Sequence, residues 1–338
     1  MARNESEKIM AGKKKAKKPS DTPPPKPVGK KKLSVKTRFR LILAVLALFA
    51  AGVICLLHFT GIMPFQDMLV RLGLSERPAT RADLEVHFVD VGQGDCAVIM
   101  SQGEVMVIDS GDRDESNSVE RYLMMQGVTR INYLIATHPH ADHIGEMAEI
   151  IGQFRVDNFI MPRLPAKITP TTQCYENMLK MLKAKNTPVT PAEDCEFELG
   201  CCKVQLYASG VEDSDNLNDY SVIVRLVHGE NSFLFTGDCE NTEESDLLSR
   251  GLELRAKVLK AGHHGSYTSS SAEFLDAVKP DYAVISCGRK NDYGHPHDTT
   301  VRRLKKYADK LYMTPRDGNI VFISDGVGLS VECSKEKK

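Results

Sequence analysis

Residues 131–143 read Ile-Asn-Tyr-Leu-Ile-Ala-Thr-His-Pro-His-Ala-Asp-His. The apolar first half of this stretch predicts a buried strand that ends on three histidines and one aspartate. Because side chains alternate in an extended segment, His138 and His140 should point the same way, and Asp142 and His143 should open the next helix. A lone histidine is usually structural, but four such side chains at one strand end predict a metal site.

Two further strand ends supply additional ligand candidates. Residues 233–238 end on Thr-Gly-Asp, where the glycine lets the carboxylate of Asp238 turn into a cleft. Residues 260–266 carry His263 and His264 between glycines. Each motif alone could be an ordinary turn or a surface histidine pair. Together with the first cluster, these motifs supply more ligands than one ion needs, so we expect two divalent ions. Imidazole and carboxylate ligands suit Zn²⁺ or Mn²⁺.

Short strands and helices alternate from residue 84 onward. The runs LEVHFVDVG, CAVIM and EVMVID, punctuated by glycine turns, predict hairpin strands. Helices are expected near 118–126, from about 142, near 172–186, 243–250, 272–278 and 299–308. The two halves look like two β-then-α units packed face to face. We therefore predict one four-layer αββα domain over 84–333, followed by a charged tail at 334–338.

The formal net charge of −1 averages two regions of opposite sign. Residues 1–40 carry 14 Lys and Arg against 3 Asp and Glu, whereas residues 41–338 carry 30 against 42. The first 38 residues lack apolar periodicity, which is typical of a solvated, disordered cytoplasmic arm. The acidic region, residues 41–338, does not attract polyanions unless it has a local basic patch.

A membrane anchor is predicted at 39–60. The apolar run from residue 41 to 59 nearly spans a hydrocarbon core of roughly 30 Å at about 1.5 Å per residue. A cleaved signal peptide is the main alternative, but the run is long and no small-residue cleavage site stands clearly at its end. Because basic residues stay on the cytoplasmic side, we expect a single-pass cell-membrane protein with residues 61–83 as a stalk and the domain over 84–333 extracytoplasmic.

Nine cysteines are spread along the chain without a Cys-x-x-Cys pair, which argues against a zinc ribbon and against a disulfide-dense scaffold. One disulfide bridge is conceivable among Cys195, Cys201 and Cys202, which are close in sequence, if the domain over 84–333 lies outside the cell. A reducing setting would leave them as small buried apolar residues.

Several motifs carry a family resemblance. HPHADH, the TGD turn and the AGHHGS turn, in that order, resemble the metallo-β-lactamase superfamily. More narrowly, HFVDVGQGDCAVIM, the IDSG turn, NDYSVIV, HHGS and GHP resemble the C-terminal hydrolase domain of ComEC-type DNA-uptake (competence) proteins. The resemblance covers residues 84 to about 333.

The resemblance implies an αββα sandwich with a dinuclear ligand set. It places His138 and His140 on the first metal, Asp142 and His143 on the second, and Asp238 between them. One histidine of the His263-His264 pair completes the second site and the other faces the substrate, and the motif does not say which. Our assignment puts His263 on the metal and His264, with Asp142, in the catalytic set.

Two departures limit the resemblance. The multi-span channel that ComEC-type proteins place before this domain has no counterpart here, so we expect no DNA translocation by this chain. The third first-site histidine of true β-lactamases is also missing, since the corresponding segment reads Asn218-Asp219-Tyr220-Ser221. Asp219 or water could serve there. His228 follows that strand, and we expect it in a hairpin loop.

Other polar residues stand at the same predicted rim. Asp95 and Asp109 could simply be turn residues. Carboxylates often orient metal-bound histidines, however, and we assign that role to Asp95, Asp109 and Asp219. His295, in Tyr293-Gly294-His295-Pro296-His297, could hydrogen-bond a phosphate or protonate a leaving group, so we include it in the catalytic set. His297 is expected to be peripheral.

This ligand set suits metal-assisted hydrolysis of a phosphodiester, with DNA as the expected substrate. Neither a GxSxG nor a GxxxxGK[ST] motif is present in the sequence. A basic patch for DNA could come from Arg289, Lys290, Arg302, Arg303, Lys305 and Lys306, although such a run is usually a solvated helix face. The alternatives are a small-molecule hydrolase acting on a headgroup, nucleotide or ester, and a non-catalytic envelope or DNA-binding module. Protein partners are not indicated.

Overall fold

The computed structural model describes residues 82–113 and 118–335, together with positions 36, 40, 43, 44, 48, 49, 52 and 53. The chain divides into two compact units, residues 1–51 and 52–338. The six described residues of the first unit are helical. The predicted arm, anchor and stalk lie almost entirely outside the described residues. Within the described part, no helix combines the length and hydropathy needed to cross a bilayer.

The first sheet has eight strands. They are β1 (Leu84–Phe88), β2 (Ala97–Ser101), β3 (Glu104–Ile108), β4 (Arg130–Ile135), β5 (Arg155–Met161), β6 (Val189–Pro191), β14 (Ile320–Ser324) and β15 (Leu329–Cys333). Their order is β15-β14-β1-β2-β3-β4-β5-β6. The pairs from β15 to β3 are antiparallel and those from β3 to β6 are parallel. The sheet is therefore mixed, and its β1 pairs with a strand from the end of the chain.

The second sheet has seven strands. They are β7 (Cys195–Leu199), β8 (Cys202–Tyr207), β9 (Ile223–His228), β10 (Asn231–Phe235), β11 (Val258–Lys260), β12 (Tyr282–Ile285) and β13 (Lys310–Met313), in the order β13-β12-β11-β10-β9-β8-β7. Strands β10 to β13 run parallel. Their carboxyl ends therefore open on one edge of the sheet, which is where open α/β sheets place ligands.

The two sheets pack face to face around a core of apolar side chains from both. Phe88 of β1 and Phe235 of β10 meet across this layer with ring centroids 5.6 Å apart, and burying a side chain of this size stabilises the fold by roughly 1.5–3 kcal/mol. The outer face of the first sheet is covered by α1 (Val119–Met125), α2 (Ala141–Ile144), α3 (Met147–Gln153) and α4 (Gln173–Lys185). The second is covered by α5 (Asn241–Ser249), α6 (Ala272–Val278) and α7 (Asp298–Tyr307), and a short α8 (Thr314–Asp317) follows β13.

The layers are thus helix, sheet, sheet and helix, as predicted. The helix expected from residue 142 is divided into α2 and α3 by Gly145 and Glu146. A Cβ atom on Gly145 would lie 2.7 Å from the carbonyl oxygen of Gly111, so the chain needs a glycine at this close approach. The strands β6 and β13 to β15 were not predicted. The eight described cysteines are free thiols, so the possible bridge among Cys195, Cys201 and Cys202 does not form here.

Candidate metal centre

The predicted ligands converge because the strands that carry them end at the same edge. The segment after β4 brings His138, and the turn after β10 brings Asp238. Gly237 in that turn has φ +49°, and a Cβ atom there would lie 2.8 Å from Oγ1 of Thr137. The turn that aims Asp238 at the histidines therefore depends on glycine.

One ligand group consists of His138, His140 and Asp238, whose candidate ligand atoms all lie within 4.8 Å of one another. Nε2 of His138 is 3.0 Å from Nδ1 of His140 and 3.8 Å from Oδ2 of Asp238. Burial, reinforced by the neighbouring His143, holds the pKa of His138 well below its ordinary value. His138 is therefore neutral at pH 7, which is the protonation state in which an imidazole nitrogen binds a cation.

A second group consists of Asp95, His143, Asp238 and His264, all buried. Nε2 of His264 lies 3.5 Å from Oδ2 of Asp238 and 3.0 Å from Oδ2 of Asp142. Burial opposes ionisation of Asp142, but its hydrogen bond with His264 and the charge of His143 outweigh burial and lower its pKa. Asp142 is thus a carboxylate directed at the same place.

The donor set fits divalent cations. Nε2 of His143 and Oδ1 of Asp238 are buried 3.1 Å apart, yet neither makes a hydrogen bond of acceptable geometry within the described structure. Burying such atoms without a partner costs free energy, and a shared cation would satisfy both. Imidazole nitrogens and carboxylate oxygens are the ligands that Zn²⁺ and Mn²⁺ accept.

The structure favours His264 rather than His263 as the ligand, the reverse of our assignment. Both residues have positive φ, 43° and 51°, in the short 3₁₀ turn after β11. His264 is 1% exposed, and its Nδ1 lies 2.9 Å from the carbonyl oxygen of Ser286. His263 has a side chain 24% exposed, with Nε2 3.8 Å from Asp238. His263 therefore borders the open cleft.

Two of the three predicted orienting carboxylates lie behind a candidate ligand. Oδ2 of Asp109 is 2.8 Å from Nδ1 of His143, and Oδ1 of Asp95 is 3.2 Å from Nδ1 of His264. The contact with Asp109 leaves Nε2 of His143 free to face the centre, which is how carboxylates set the tautomer of metal-binding histidines. For His264 the hydrogen bond of Nδ1 goes to the carbonyl oxygen of Ser286, and Asp95 adds a neighbouring negative charge.

Asp219 does not have this role in the described contacts. Its carboxylate accepts a hydrogen bond from Ser214 at 2.6 Å, and it pairs with none of the predicted ligands among the residues that the structure describes. Glu240, which the sequence analysis missed, lies 2.7 Å from Nδ1 of His263. The available signal was a carboxylate two residues after Asp238.

All of the candidate ligands fall within one family match. Residues 89–289 match the model of the metallo-beta-lactamase superfamily, which is more than half of the chain. The chain belongs to the metallo-β-lactamase superfamily.

Three curated relatives of this superfamily member are named for competence or recombination. Competence protein ComA of Neisseria gonorrhoeae is 30% identical over 286 residues, 83% of this chain and 38% of that protein. ComE operon protein 3 of Bacillus subtilis is 26% identical over 267 residues, 72% and 34%. Recombination protein 2 of Haemophilus influenzae is 30% identical over 241 residues, 70% and 28%. The chain spans about a third of the length of these curated relatives, all of the ComEC family.

The metal centre of this metallo-β-lactamase domain opens into a cleft of about 600 Å³. The polar side chains along it include Asp112, Asp142, Asp238, Asp292 and Lys290. Of the basic residues proposed as a patch, Lys290 reaches this cleft. Arg303 instead donates hydrogen bonds to the carbonyl oxygens of Ser269 and Ser270, at 3.1 and 2.7 Å. Its guanidinium group is therefore bound to the protein's own backbone.

His295 lies beside the histidine pair of this superfamily member. Its ring centroid is 5.2 Å from that of His263 and 6.0 Å from that of His264. Burial, with the charges of these two histidines, lowers its pKa to about 4. His295 is therefore neutral at pH 7, which favours the hydrogen-bonding role over the role of proton donor. His228 ends β9 and is buried against Ser324 rather than lying in a loop, with Nδ1 2.9 Å from its Oγ.

Proposed function

We propose that this metallo-β-lactamase superfamily hydrolase is a membrane-anchored dinuclear phosphodiesterase that cleaves DNA. One observation carries the proposal: Asp238 belongs to both ligand groups, at the end of an open cleft. When bound, two divalent cations lower the pKa of water toward neutrality and neutralise charge developing on a phosphoryl group. A shared carboxylate is the means by which this chain would hold two such ions side by side.

The residues divide into those that would bind and those that would orient. His138 and His140 would hold the first cation and His143, His264 and Asp142 the second, with Asp238 common to both. Asp109 and Asp95 would fix the imidazoles of His143 and His264. Lys290, His263 and His295 border the cleft and would donate to phosphate oxygens as charge develops on them.

The choice of DNA and the membrane location rest on different support. The relatives named for competence and recombination share this region of sequence, which favours a nucleic-acid substrate. The apolar run 41–59 supports a single-pass anchor with a cytoplasmic N-terminus and an extracytoplasmic domain. Leu48 and Phe49, described in that run, are 74% and 70% exposed, as lipid-facing side chains would be.

The test uses the full chain in detergent micelles, loaded with Zn²⁺ or Mn²⁺. We expect two bound ions per chain, and cleavage of both single-stranded DNA and bis-p-nitrophenyl phosphate. Asp142→Ala should lower both activities by about a hundredfold or more. Asp276→Ala, at an exposed position of α6, is the matched control. Cleavage of neither substrate by a protein holding two ions would exclude phosphodiester chemistry. Fewer than two ions would favour a non-catalytic module.

A small-molecule diester is the second candidate, because the charged cleft residues outside the proposed ligand set are Asp112 and Asp292 against Lys290. That balance of charge repels a long polyanion but admits one phosphodiester at the cations. Turnover of bis-p-nitrophenyl phosphate without cleavage of DNA would establish this alternative over the nuclease.

A further inference from the structure

Four aromatic rings form a continuous row beside the metal centre, which we call the aromatic row. Tyr293 stacks on His295 with centroids 5.7 Å apart and an interplanar angle of 20°. His295 meets His297 at 5.0 Å, and His297 meets Tyr267 at 4.9 Å, both near perpendicular. His295 in turn contacts His263. The row therefore leads from the cleft to the protein surface and has a tyrosine at each end.

The two tyrosines are unusually open. Tyr293 is 66% exposed and Tyr267 is 62% exposed. Within 82–113 and 118–335 they are the only exposed phenylalanine or tyrosine side chains. A single exposed aromatic side chain needs no explanation. Two at the ends of one row, each in contact with a histidine ring and largely exposed to solvent, form a surface on which a planar group could stack.

The charge of the cleft makes stacking the stronger source of affinity. Outside the proposed ligand set, Asp112 and Asp292 outnumber Lys290 there, so attraction of the phosphate backbone by the protein's own charges is weak. Stacking on an aromatic ring does not depend on net charge and accepts any base, and it contributes about fivefold to a hundredfold in affinity per base. It also requires a base whose face is free, which a single strand offers and a duplex does not.

We propose that Tyr267 and Tyr293 stack the nucleobases of a single-stranded nucleic acid and thereby select single strands over duplexes. The inference rests on the proposed function, because the aromatic row would lead the strand to the metal centre. Tyr267 and Tyr293 would be the residues that contact the bases. Neither tyrosine is part of the metal-ligand set.

The test measures binding by the full-length protein in EDTA, by fluorescence anisotropy. The probes are a thymidine 12-mer, a 12-mer of abasic sugar-phosphates and a 12-base-pair duplex. We expect the thymidine strand to bind at least about tenfold more tightly than either other probe. Tyr267→Ala and Tyr293→Ala should each reduce the thymidine-to-abasic ratio about fivefold or more, whereas Tyr267→Phe and Tyr293→Phe keep it.

Val327→Ala supplies the control for removal of an exposed apolar side chain, because Val327 lies in the β14–β15 turn, at the end of the sheets opposite the metal centre. Equal affinities for the thymidine and abasic strands, or alanine variants that keep the ratio, would overturn the inference. Because no hydrolysis occurs in EDTA, these results are independent of the cleavage assay. DNA cleavage without base-dependent binding would contradict only the proposed role of the tyrosines. Base-dependent binding without cleavage would contradict only the proposed nuclease activity.

Discussion

The Nζ atom of Lys260 lies 2.5 Å from Oδ2 of Asp95, and both side chains are almost fully buried. Burial alone would raise the pKa of Asp95, but Lys260 and His264 outweigh it and lower that pKa. The other oxygen of Asp95 faces Nδ1 of His264. Lys260 therefore holds in place the carboxylate whose charge faces a candidate metal ligand.

Replacing Lys260 should destabilise the protein strongly. In Lys260→Met the chain keeps a stem of similar length, but Asp95 becomes a buried carboxylate without its cation, which costs about 3–5 kcal/mol. Denaturation by urea, followed by circular dichroism, measures the change. Lys203→Met is the control, because Lys203 and Glu196 form an exposed pair at 2.7 Å that solvent largely screens. Equal losses of unfolding free energy in the two variants would show that the buried pair contributes no more to stability than the exposed pair.

Asp109 should act on metal affinity through His143. Its Oδ2 contacts Nδ1 of His143, and it also accepts hydrogen bonds from the backbone N–H and hydroxyl of Thr137 at 2.8 and 2.7 Å. Asp109→Asn keeps the shape but weakens the hold on the imidazole, so we expect metal affinity to fall about tenfold to a hundredfold. Competition with a chromophoric chelator measures it. Asp157→Asn, near the start of β5 and paired there with Arg130 and Arg155, lies at the opposite end of the strand from the metal centre and should leave the affinity as it was.

The convergence of the candidate ligands was predictable because the spacing of most of them is local. Four of them fall within six residues, and the strand that precedes them is apolar. The contacts that orient them are not local. Lys260 meets Asp95 from the other sheet, and neither residue signals the pairing in its own neighbourhood. The reversal of His263 and His264 has the same origin, since two successive positive φ values, which the sequence does not reveal, decide which ring is buried.

The unpredicted strands show the same limit at the level of the fold. β14 has an alternating burial pattern, which local periodicity could have indicated. Its partner is β1, from the start of the domain, with Phe88 opposite Ile320. Such a pairing over nearly the whole domain depends on tertiary packing, because a strand pattern does not specify its neighbour.

Glu243 should make stability fall as pH rises. Its side chain is completely buried in α5, both oxygens lack a hydrogen bond within the described structure, and burial holds its pKa well above the ordinary value. A carboxyl group whose folded pKa is raised contributes its full stability below the unfolded value of about 4.3 and loses it as pH rises through the folded pKa.

Glu243→Gln removes that titration. We expect the variant to match the wild type near pH 4 and to exceed its stability at pH 8 by about 1–3 kcal/mol. Urea denaturation in EDTA at a series of pH values measures the difference and keeps metal binding out of it. Glu176→Gln, at an exposed position of α4, should follow the wild type throughout. A stability difference that does not change with pH would contradict the assignment.

Gly94 couples two loops of the metal centre at the level of the backbone. Its φ is +124°, and a Cβ atom there would lie 2.1 Å from the carbonyl oxygen of Asp142. The next residue, Asp95, donates its N–H to that same oxygen at 3.1 Å. Any side chain at position 94 must therefore push the Gly-Gln-Gly-Asp loop away from a candidate ligand.

Gly94→Ala should lower both stability and metal affinity. We expect a loss of about 3 kcal/mol on denaturation and at least about a tenfold loss of metal affinity. Gly103→Ala is the matched control, because Gly103 also has positive φ, +84°, but a Cβ atom there meets no atom within 4 Å. The left-handed backbone alone then costs about 1–2 kcal/mol, with metal affinity retained. If both variants lost metal affinity equally, backbone strain rather than the close approach to Asp142 would be responsible.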